Sequence, residues 1–181
     1  HTVKQMTSWS TDVNNDRLSD FSAELAKESA SSGTFVADFA ALAATHEVLP
    51  CPHISTNANT CRISNAVVDL ASWRLALLAM ACEGSSVNEF LVHGCEISRQ
   101  HIVDLVSMIE KVGHMAVVKL DYITIIIPSN DAAAEEGKTE GETESADNAF
   151  LPLLKSNAAI DYLSLKGNNI GITNLLQSNE F

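Results

Sequence analysis

The chain has 181 residues, of which 11 are basic and 23 are acidic, so its formal net charge is −12. Apolar residues make up 46% of it and charged residues 19%, which provides for a buried core and excludes wholesale disorder. Proteins contact phosphate mainly through Lys and Arg, so this acidic balance argues against nucleic acids and anionic membrane surfaces as partners. The length predicts one domain, with at most a small appendage.

The N-terminal part of the sequence predicts a tail followed by two helices. Residues 1–15 are polar and have no hydrophobic period, which is typical of a flexible tail. Apolar residues at helical spacing predict one helix over residues 16–30 and a second over residues 35–46. A Ser-Ser-Gly sequence separates the two helices.

Helical and β-prone segments alternate in the remainder of the chain. Helices are predicted over residues 65–80 and 99–112, where apolar side chains follow the spacing of a helix that buries one face. Runs of β-prone residues cover 90–92, 117–127 and 162–165. This alternation predicts an α/β fold.

Residues 128–148 differ in composition from the rest of the chain. They contain seven acidic residues, one Lys and no large apolar residue, and they carry half of the net charge. A segment of this composition cannot bury enough surface to offset its ordering entropy, so we expect an exposed, disordered loop. Binding of a basic partner by this loop is an alternative role for it.

Three segments share the pattern apolar-x-x-apolar-x-apolar-x-x-(Asn or Cys)-x-apolar. The first copy consists of Val87, Phe90, Val92, Cys95 and Ile97. The second copy has a sequence offset of 28 from the first at every position and consists of Met115, Val118, Leu120, Ile123 and Ile125. The third copy has an offset of 45 from the second and consists of Ile160, Leu163, Leu165, Asn168 and Ile170. This larger offset is one period plus an excess that the acidic loop supplies. A weaker fourth copy consists of Cys51, Ile54, Thr56, Asn59 and Cys61.

The shared pattern resembles the leucine-rich repeat in its long, ribonuclease-inhibitor-like form, over about residues 51–181. Residues 160–171, IDYLSLKGNNIG, carry the resemblance most clearly. It implies a short solenoid of parallel strand–helix units, with residues 16–50 as an N-terminal helical cap and the acidic loop at 128–148 as an interruption. An ordinary α/β domain is the alternative, because any βαβ unit needs about 30 residues.

The repeat register predicts which side chains are buried. Strand residues alternate between the two faces of a sheet, so the apolar strand positions should point inward. These positions are Phe90, Val92, Ile97, Val118, Leu120, Ile125, Leu163, Leu165 and Ile170. Asn168 and Asn59 should turn inward after their strands to satisfy backbone groups, with Cys95 as the small substitute. Ile123 departs from the pattern, which leaves open that its strand continues through Ile127 to Pro128.

Two groups of His and Cys residues are candidates for chemistry. His93 and Cys95, with His101 nearby, could form a thiol–imidazole pair, but the register places Cys95 inside and His93 outside, which favours a structural Cys. The second group follows no standard zinc-ligand spacing and consists of His46, Cys51, His53 and Cys61. A zinc-binding or enzymatic protein that uses residues 46–61 is therefore the alternative interpretation, and we predict no catalytic, cofactor-binding or metal-binding residue.

The resemblance implies a non-catalytic protein-interaction or structural subunit of a larger assembly, because ribonuclease-inhibitor-like repeats mostly bind proteins. A protein partner should bind the strand face and the C-terminal end of the array. The predicted protein-binding residues are outward strand positions and two apolar residues near the end of the sequence: Leu91, His93, Lys119, Asp121, Ser164, Lys166, Leu175 and Leu176. They mix polar and apolar character, as protein interfaces do.

The sequence also bears on the compartment. Its four irregularly spaced cysteines make no disulfide framework, and no apolar stretch is long enough to span a membrane. No signal-peptide pattern opens the sequence. We therefore expect an intracellular protein without a cofactor, either cytoplasmic or organellar, for example mitochondrial after removal of a presequence.

Overall fold

The fold is described from a computed structural model over residues 14, 17–27, 29–57, 59–126, 149–156 and 159–168. Its helices are α1 (Phe21–Ala26), α2 (Phe35–Thr45), α3 (Leu70–Met80), α4 (Arg99–Val112) and α5 (Leu151–Lys155). Its strands are β1 (Ile54–Asn57), β2 (Thr60–Ser64), β3 (Glu89–His93), β4 (Glu96–Ile97), β5 (Met115–Asp121), β6 (Thr124–Ile125) and β7 (Ile160–Ser164). The described residues therefore form a mixed α/β fold, as the alternation of segments predicts.

Five strands form one mostly parallel sheet in the order β1-β2-β3-β5-β7. Only β1 is antiparallel to its neighbour, with which it forms a hairpin. The strands β4 and β6 form a separate two-stranded parallel sheet. In the described residues the larger sheet is open, with β1 and β7 as its edges.

The pairing of the parallel strands agrees with the spacing of the repeated sequence pattern. Phe90 lies opposite Val118, and Val92 lies opposite Leu120, which reproduces the offset of 28. Val118 in turn lies opposite Leu163, which reproduces the offset of 45. The three predicted copies are therefore neighbouring units of one sheet, in the predicted register.

The predicted fourth copy is wrong. In the structure Cys61 lies opposite Phe90 and Ile63 lies opposite Val92, so the offset between the first two units is 29. Ile54 belongs to the antiparallel strand β1, because the hairpin between β1 and β2 reverses the chain. The predicted inward role of Asn59 is wrong for the same reason: this residue is exposed, and its amide donates to the side chain of Asn88 at 3.2 Å.

A column of residues with left-handed backbone ends the strands of successive units. Its members, the turn column, are Asn65, Gly94, Tyr122 and Gly167, with φ values of 52°, 62°, 55° and 73°. Backbone N–H groups link the column to the following unit: Asn65 donates to the His93 carbonyl, Gly94 to that of Asp121 and Tyr122 to that of Lys166. The continuation of a strand to Pro128 is therefore wrong, because β5 ends at Asp121 where the backbone turns.

Asn168 has the predicted inward role. Its side-chain oxygen accepts from the backbone N–H of Ile123 at 2.6 Å, and its Nδ2 donates to the carbonyl of Leu120. Both backbone groups belong to the turn of the preceding unit, where Ile123 supplies no polar side chain. Asn168 thus satisfies two backbone groups where the preceding unit turns.

The core lies between the helices and one face of the larger sheet. Phe90, Val92, Val118 and Leu120 are at most 1% exposed, and the Trp73 ring of α3 meets the Phe90 ring edge-on at a centroid distance of 5.1 Å. The buried role of Ile97 is also confirmed. The inward residues of the last units are only partly buried, and they are Ile125, Leu163 and Leu165. Ile170 lies outside the described residues.

Buried polar contacts anchor the N-terminal segment to the helices of the units. The Arg74 guanidinium of α3 forms a 2.6 Å ion pair with Asp104 of α4 and donates to the Leu18 carbonyl at 2.8 Å. The same guanidinium lies 5.7 Å from the centre of the Phe21 ring. Asn14 is buried and donates to the Leu49 carbonyl at 3.0 Å. It belongs to the predicted tail, of which residues 1–13 and 15 lie outside the described residues.

Helix boundaries differ from the prediction where a capping side chain determines the first residue of the helix. Helix α4 covers the predicted residues 99–112, whereas α1 is limited to six residues because the Asp20 side chain caps it and Leu18 has a φ of 55°. Helix α3 begins at Leu70 because the Asp69 carboxylate accepts from the N–H of Ser72 at 2.8 Å. The preceding residues 65–68 form the turn instead of the helix.

Helix α5 was not predicted. Its Leu153 and the preceding Phe150 are 3% and 2% exposed. They follow the buried Met108 and Leu105 of α4 by 45 positions, which is also the offset between β5 and β7. Helix α5 therefore packs beside α4 as the end of the same kind of unit. The predicted acidic loop at 128–148 lies outside the described residues.

Candidate functional site

The face of the larger sheet that points away from the core is the candidate site. Residues along β3 and β5 alternate between a buried side and a side that is partly or fully exposed. The exposed side and its adjoining turns, called the outer face below, consists of Thr60, Arg62, Glu89, Leu91, His93, Val117, Lys119, Asp121, Tyr122, Tyr162, Ser164 and Lys166. It is formed by parallel strands in register, so its side chains are held at fixed spacing.

Six of the eight predicted binding residues lie together on the outer face. Leu91, Lys119 and Ser164 form one row across three strands. His93 lies opposite Asp121 in the next row, and the backbone N–H of Lys166 donates to the Asp121 carboxylate at 3.0 Å. The other two predicted residues, Leu175 and Leu176, lie outside the described residues.

The carboxylates of the outer face are engaged by neutral donors of the sheet itself. Asp121 accepts from the Ser164 hydroxyl at 2.6 Å, in addition to the N–H of Lys166. Glu89 accepts from the Thr60 hydroxyl at 2.9 Å. Both acidic groups are therefore held in place by hydrogen bonds to neighbouring strands.

The two lysines of the outer face lie over aromatic rings. The Lys119 ammonium is 5.4 Å from the centre of the Tyr162 ring, and the Lys166 ammonium is 5.9 Å from that of Tyr122. The His93 ring meets the Tyr122 ring edge-on at 5.2 Å. At these distances a cation is attracted to the face of an aromatic ring. The lysine and aromatic side chains thus form two groups on the outer face, Lys119 with Tyr162 and Lys166 with Tyr122 and His93.

Tyr122 and Tyr162 are the two tyrosines of the chain, and both are about half exposed, at 47% and 54%. Sequence analysis did not select them, although the register places Tyr162 on the same face as Ser164, two positions before it. It also missed Arg62, which lies opposite Leu91, because the fourth copy of the pattern was misaligned. The correct offset of 29 is the signal that finds Arg62.

Tyr122 has a strained backbone. It lies in the turn column between Gly94 and Gly167, with a φ of 55° where a bulky side chain is rare. A Cβ at Gly167 would overlap the Tyr122 ring, so this glycine provides the space that the ring occupies. Backbone strain of this kind costs on the order of 1–3 kcal/mol and clusters at functional positions.

The structure does not form the thiol–imidazole pair that the sequence offered. Cys95 is 1% exposed in the interior, whereas His93 is exposed on the outer face. Burial raises the pKa of the Cys95 thiol, and it raises that of Cys61 to about 12, so neither forms thiolate near neutral pH. The structural role predicted for Cys95 agrees with this burial.

The residues of the zinc alternative are dispersed. Cys51 and Cys61 are buried in the core, His53 is exposed, and the His46 ring lies 3.8 Å from the Glu24 carboxylate. Across the part of the chain that the structure describes, no three His, Cys, Asp or Glu side chains are placed to hold a metal ion. The described residues of the range 46–61 therefore do not come together as a group of metal ligands.

His101 caps α4 from within the core. Its Nδ1 accepts from the Ser98 N–H at 3.1 Å, which leaves Nε2 to donate to the Val68 carbonyl at 3.0 Å. Burial lowers the pKa of His101 to about 4, with smaller opposing effects from the Val68 bond and nearby carboxylates. This imidazole is neutral near pH 7, and its contacts are those of a structural group.

Comparison of the chain with models of protein families, with curated protein sequences and with solved structures found no match in any of the three. The leucine-rich-repeat resemblance therefore rests on the residues of this chain alone. Among the described residues, no helix has both the length and the apolar character needed to cross a bilayer.

Proposed function

We propose that the chain is a short leucine-rich-repeat solenoid that binds a protein partner through its outer face, as a non-catalytic subunit of a larger assembly. The observation that carries this proposal is the two in-register rows of partly or fully exposed polar, aromatic and apolar side chains on the sheet face opposite the helices. A surface of this mixed character, with two exposed tyrosines, is typical of protein interfaces.

Three features support the solenoid. Strand pairs keep sequence offsets of 29, 28 and 45, the turn column recurs at equivalent positions, and Asn168 satisfies the preceding bend. Stacked units of this kind need a cover on each end of the array. The hairpin strand β1 covers one end of the described sheet, and the half-buried Leu163 and Leu165 mark the other as a second place for contact with a partner.

Charge reversal on the outer face tests the binding surface. The triple variant His93→Glu, Asp121→Lys, Lys166→Glu should lose the partner when the tagged protein is isolated from its native source and sized. A second variant, Leu175→Ser with Leu176→Ser, tests the C-terminal end in the same way.

Controls make the outcome decisive. The exposed lysines of α4 and α5 provide a control variant, Lys111→Glu with Lys155→Glu, which changes the net charge more than the triple variant does and should still keep the partner. Each variant must also retain the circular dichroism spectrum and cooperative melting of the wild type. If both test variants stay folded and keep the partner, the binding surface lies elsewhere and the proposal fails.

A further inference from the structure

The charge of the outer face differs from that of the whole chain. The chain has a net charge of −12, but this face displays the three cations Arg62, Lys119 and Lys166 against two carboxylates. The carboxylates accept hydrogen bonds from neighbouring strands and turns, as described above. Among the described residues, none of the three cations forms an ion pair with a carboxylate. The face therefore has a formal charge of +1, from three cations and two carboxylates, on a chain that is strongly acidic as a whole.

We propose that the outer face binds an extended, acidic segment of its protein partner. This inference rests on the proposed function and names the chemistry of the partner. An incoming carboxylate can bind Lys119 or Lys166 without breaking an existing ion pair. Charged pairs of this kind mainly determine specificity and the rate of association.

The spacing of the cations suits an extended segment. Arg62 on β2 and Lys166 beyond β7 are separated by three strand-to-strand steps, or about 14 Å across the sheet. An extended segment covers this distance in about four or five residues, at about 3.3 Å per residue. Acidic residues two or three positions apart would therefore meet successive cations.

The aromatic rings favour the same ligand. Each lysine ammonium lies over a tyrosine ring, which limits the positions that the ammonium visits before binding. The tyrosine hydroxyls supply hydrogen-bond donors beside the cations, and phenol donors and ammonium groups both suit carboxylates. The Tyr122 ring contacts His93 and Lys166 of the face, at a left-handed position that is glycine in both neighbouring units.

Ring signals of the two tyrosines measure binding directly. The full chain, labelled with ¹³C in tyrosine, is titrated with a Gly/Ser peptide of about 12 residues, or about 40 Å extended, that carries glutamates at every third position. The matched probe has glutamine at those positions. We expect saturable shifts of the Tyr122 and Tyr162 signals with the glutamate peptide alone, and weaker binding at higher salt.

Charge reversal locates the interaction on the outer face. The double variant Lys119→Glu with Lys166→Glu should weaken binding of the glutamate peptide roughly tenfold or more, whereas Lys111→Glu with Lys155→Glu should stay within about twofold. Both variants change the net charge by the same amount. Unchanged binding in the first variant overturns the proposal.

Other outcomes also overturn the proposal. Equal shifts with the two peptides would rule out an acidic segment as the ligand but would leave the proposed protein-binding function intact. Tighter binding of inorganic polyphosphate than of the glutamate peptide would point to a phosphate polymer. Binding that occurs only after residues 131–147 are excised would make the acidic segment of this chain the occupant. If no probe shifts either signal, the acidic partner fails, while the native-complex experiment above decides the proposed function by itself.

Discussion

Tyr122 is the residue at which stability and binding should respond differently to one substitution. Glycine adopts a φ of 55° without a steric penalty, so Tyr122→Gly removes backbone strain together with the ring contacts to His93 and Lys166. We expect its free energy of unfolding to stay within about 1 kcal/mol of the wild type, from urea titration, because the two effects oppose each other. Retention of the native partner should be lost.

The neighbouring position provides the control. Gly94 has a φ of 62°, and a Cβ there would lie 2.7 Å from the Asn65 side-chain oxygen. Gly94→Ala should therefore lower the free energy of unfolding by roughly 1–2 kcal/mol. A loss of several kcal/mol in Tyr122→Gly would show that the ring stabilises the fold and that strain is a minor effect.

His101 should make the stability of the fold depend on pH. Burial lowers its pKa from the usual 6.5 to about 4, so between these values the unfolded chain binds a proton that the folded chain does not. Its contribution to stability is therefore complete above about pH 6.5 and is lost as the pH falls towards 4, by on the order of 3 kcal/mol.

Urea titrations at several pH values test this dependence against His101→Gln. This variant lacks the titrating group, so its stability should change less with pH in the same window. Equal pH dependence of the two proteins would contradict the assignment of the effect to His101.

At the scale of single elements, the burial of equivalent inward residues differs between units. Leu120 of β5 is fully buried, whereas the equivalent Leu165 after β7 is only partly buried. Leu120→Ala should lower the free energy of unfolding by roughly 2–5 kcal/mol, the range for a buried Leu, and Leu165→Ala by clearly less. Chemical denaturation of both variants measures the difference. An effect of Leu120→Ala below about 0.5 kcal/mol would mean that the register is wrong.

Elements with a strong period could be predicted from the sequence, and those that depend on turns could not. The apolar spacing of α4 predicted its bounds, and the predicted bounds of β3 and β7 differ from the observed ones by one or two residues. The β1–β2 hairpin was missed because its apolar residues also match the repeat pattern loosely. Helix α5 was missed because a single short turn with a proline at its second position has no measurable period.

For the whole molecule, two offsets in the sequence were enough to predict the order of three parallel strands and the face that each strand residue occupies. Among the described residues, the absence of an ion pair at the three cations of the outer face could not be predicted, because it depends on which acidic groups accept hydrogen bonds from other strands. The contacts of Asp121 with Ser164, and of Lys119 with Tyr162, join positions that are far apart in the sequence. Such pairs are determined by side-chain conformation within a known register.

The acidic segment gives a prediction for the molecule as a whole. Its excision over residues 131–147 removes the excess between the last two units, so that their offset returns to 28. Loop-closure entropy depends only logarithmically on length, so the change should alter the free energy of unfolding by less than about 1 kcal/mol. The melting temperature should stay within a few degrees of the wild type, as measured by circular dichroism.

A deletion of equal length, shifted along the chain, is the matched control. Removal of residues 138–154 includes Phe150 and Leu153, which are 2% and 3% exposed. This variant should lose a large part of its stability, because each buried aromatic or aliphatic side chain contributes roughly 1.5–3 kcal/mol. If the first deletion also abolished cooperative melting, the acidic segment would contribute to the fold and the offset of 45 could not be treated as one period with an insertion.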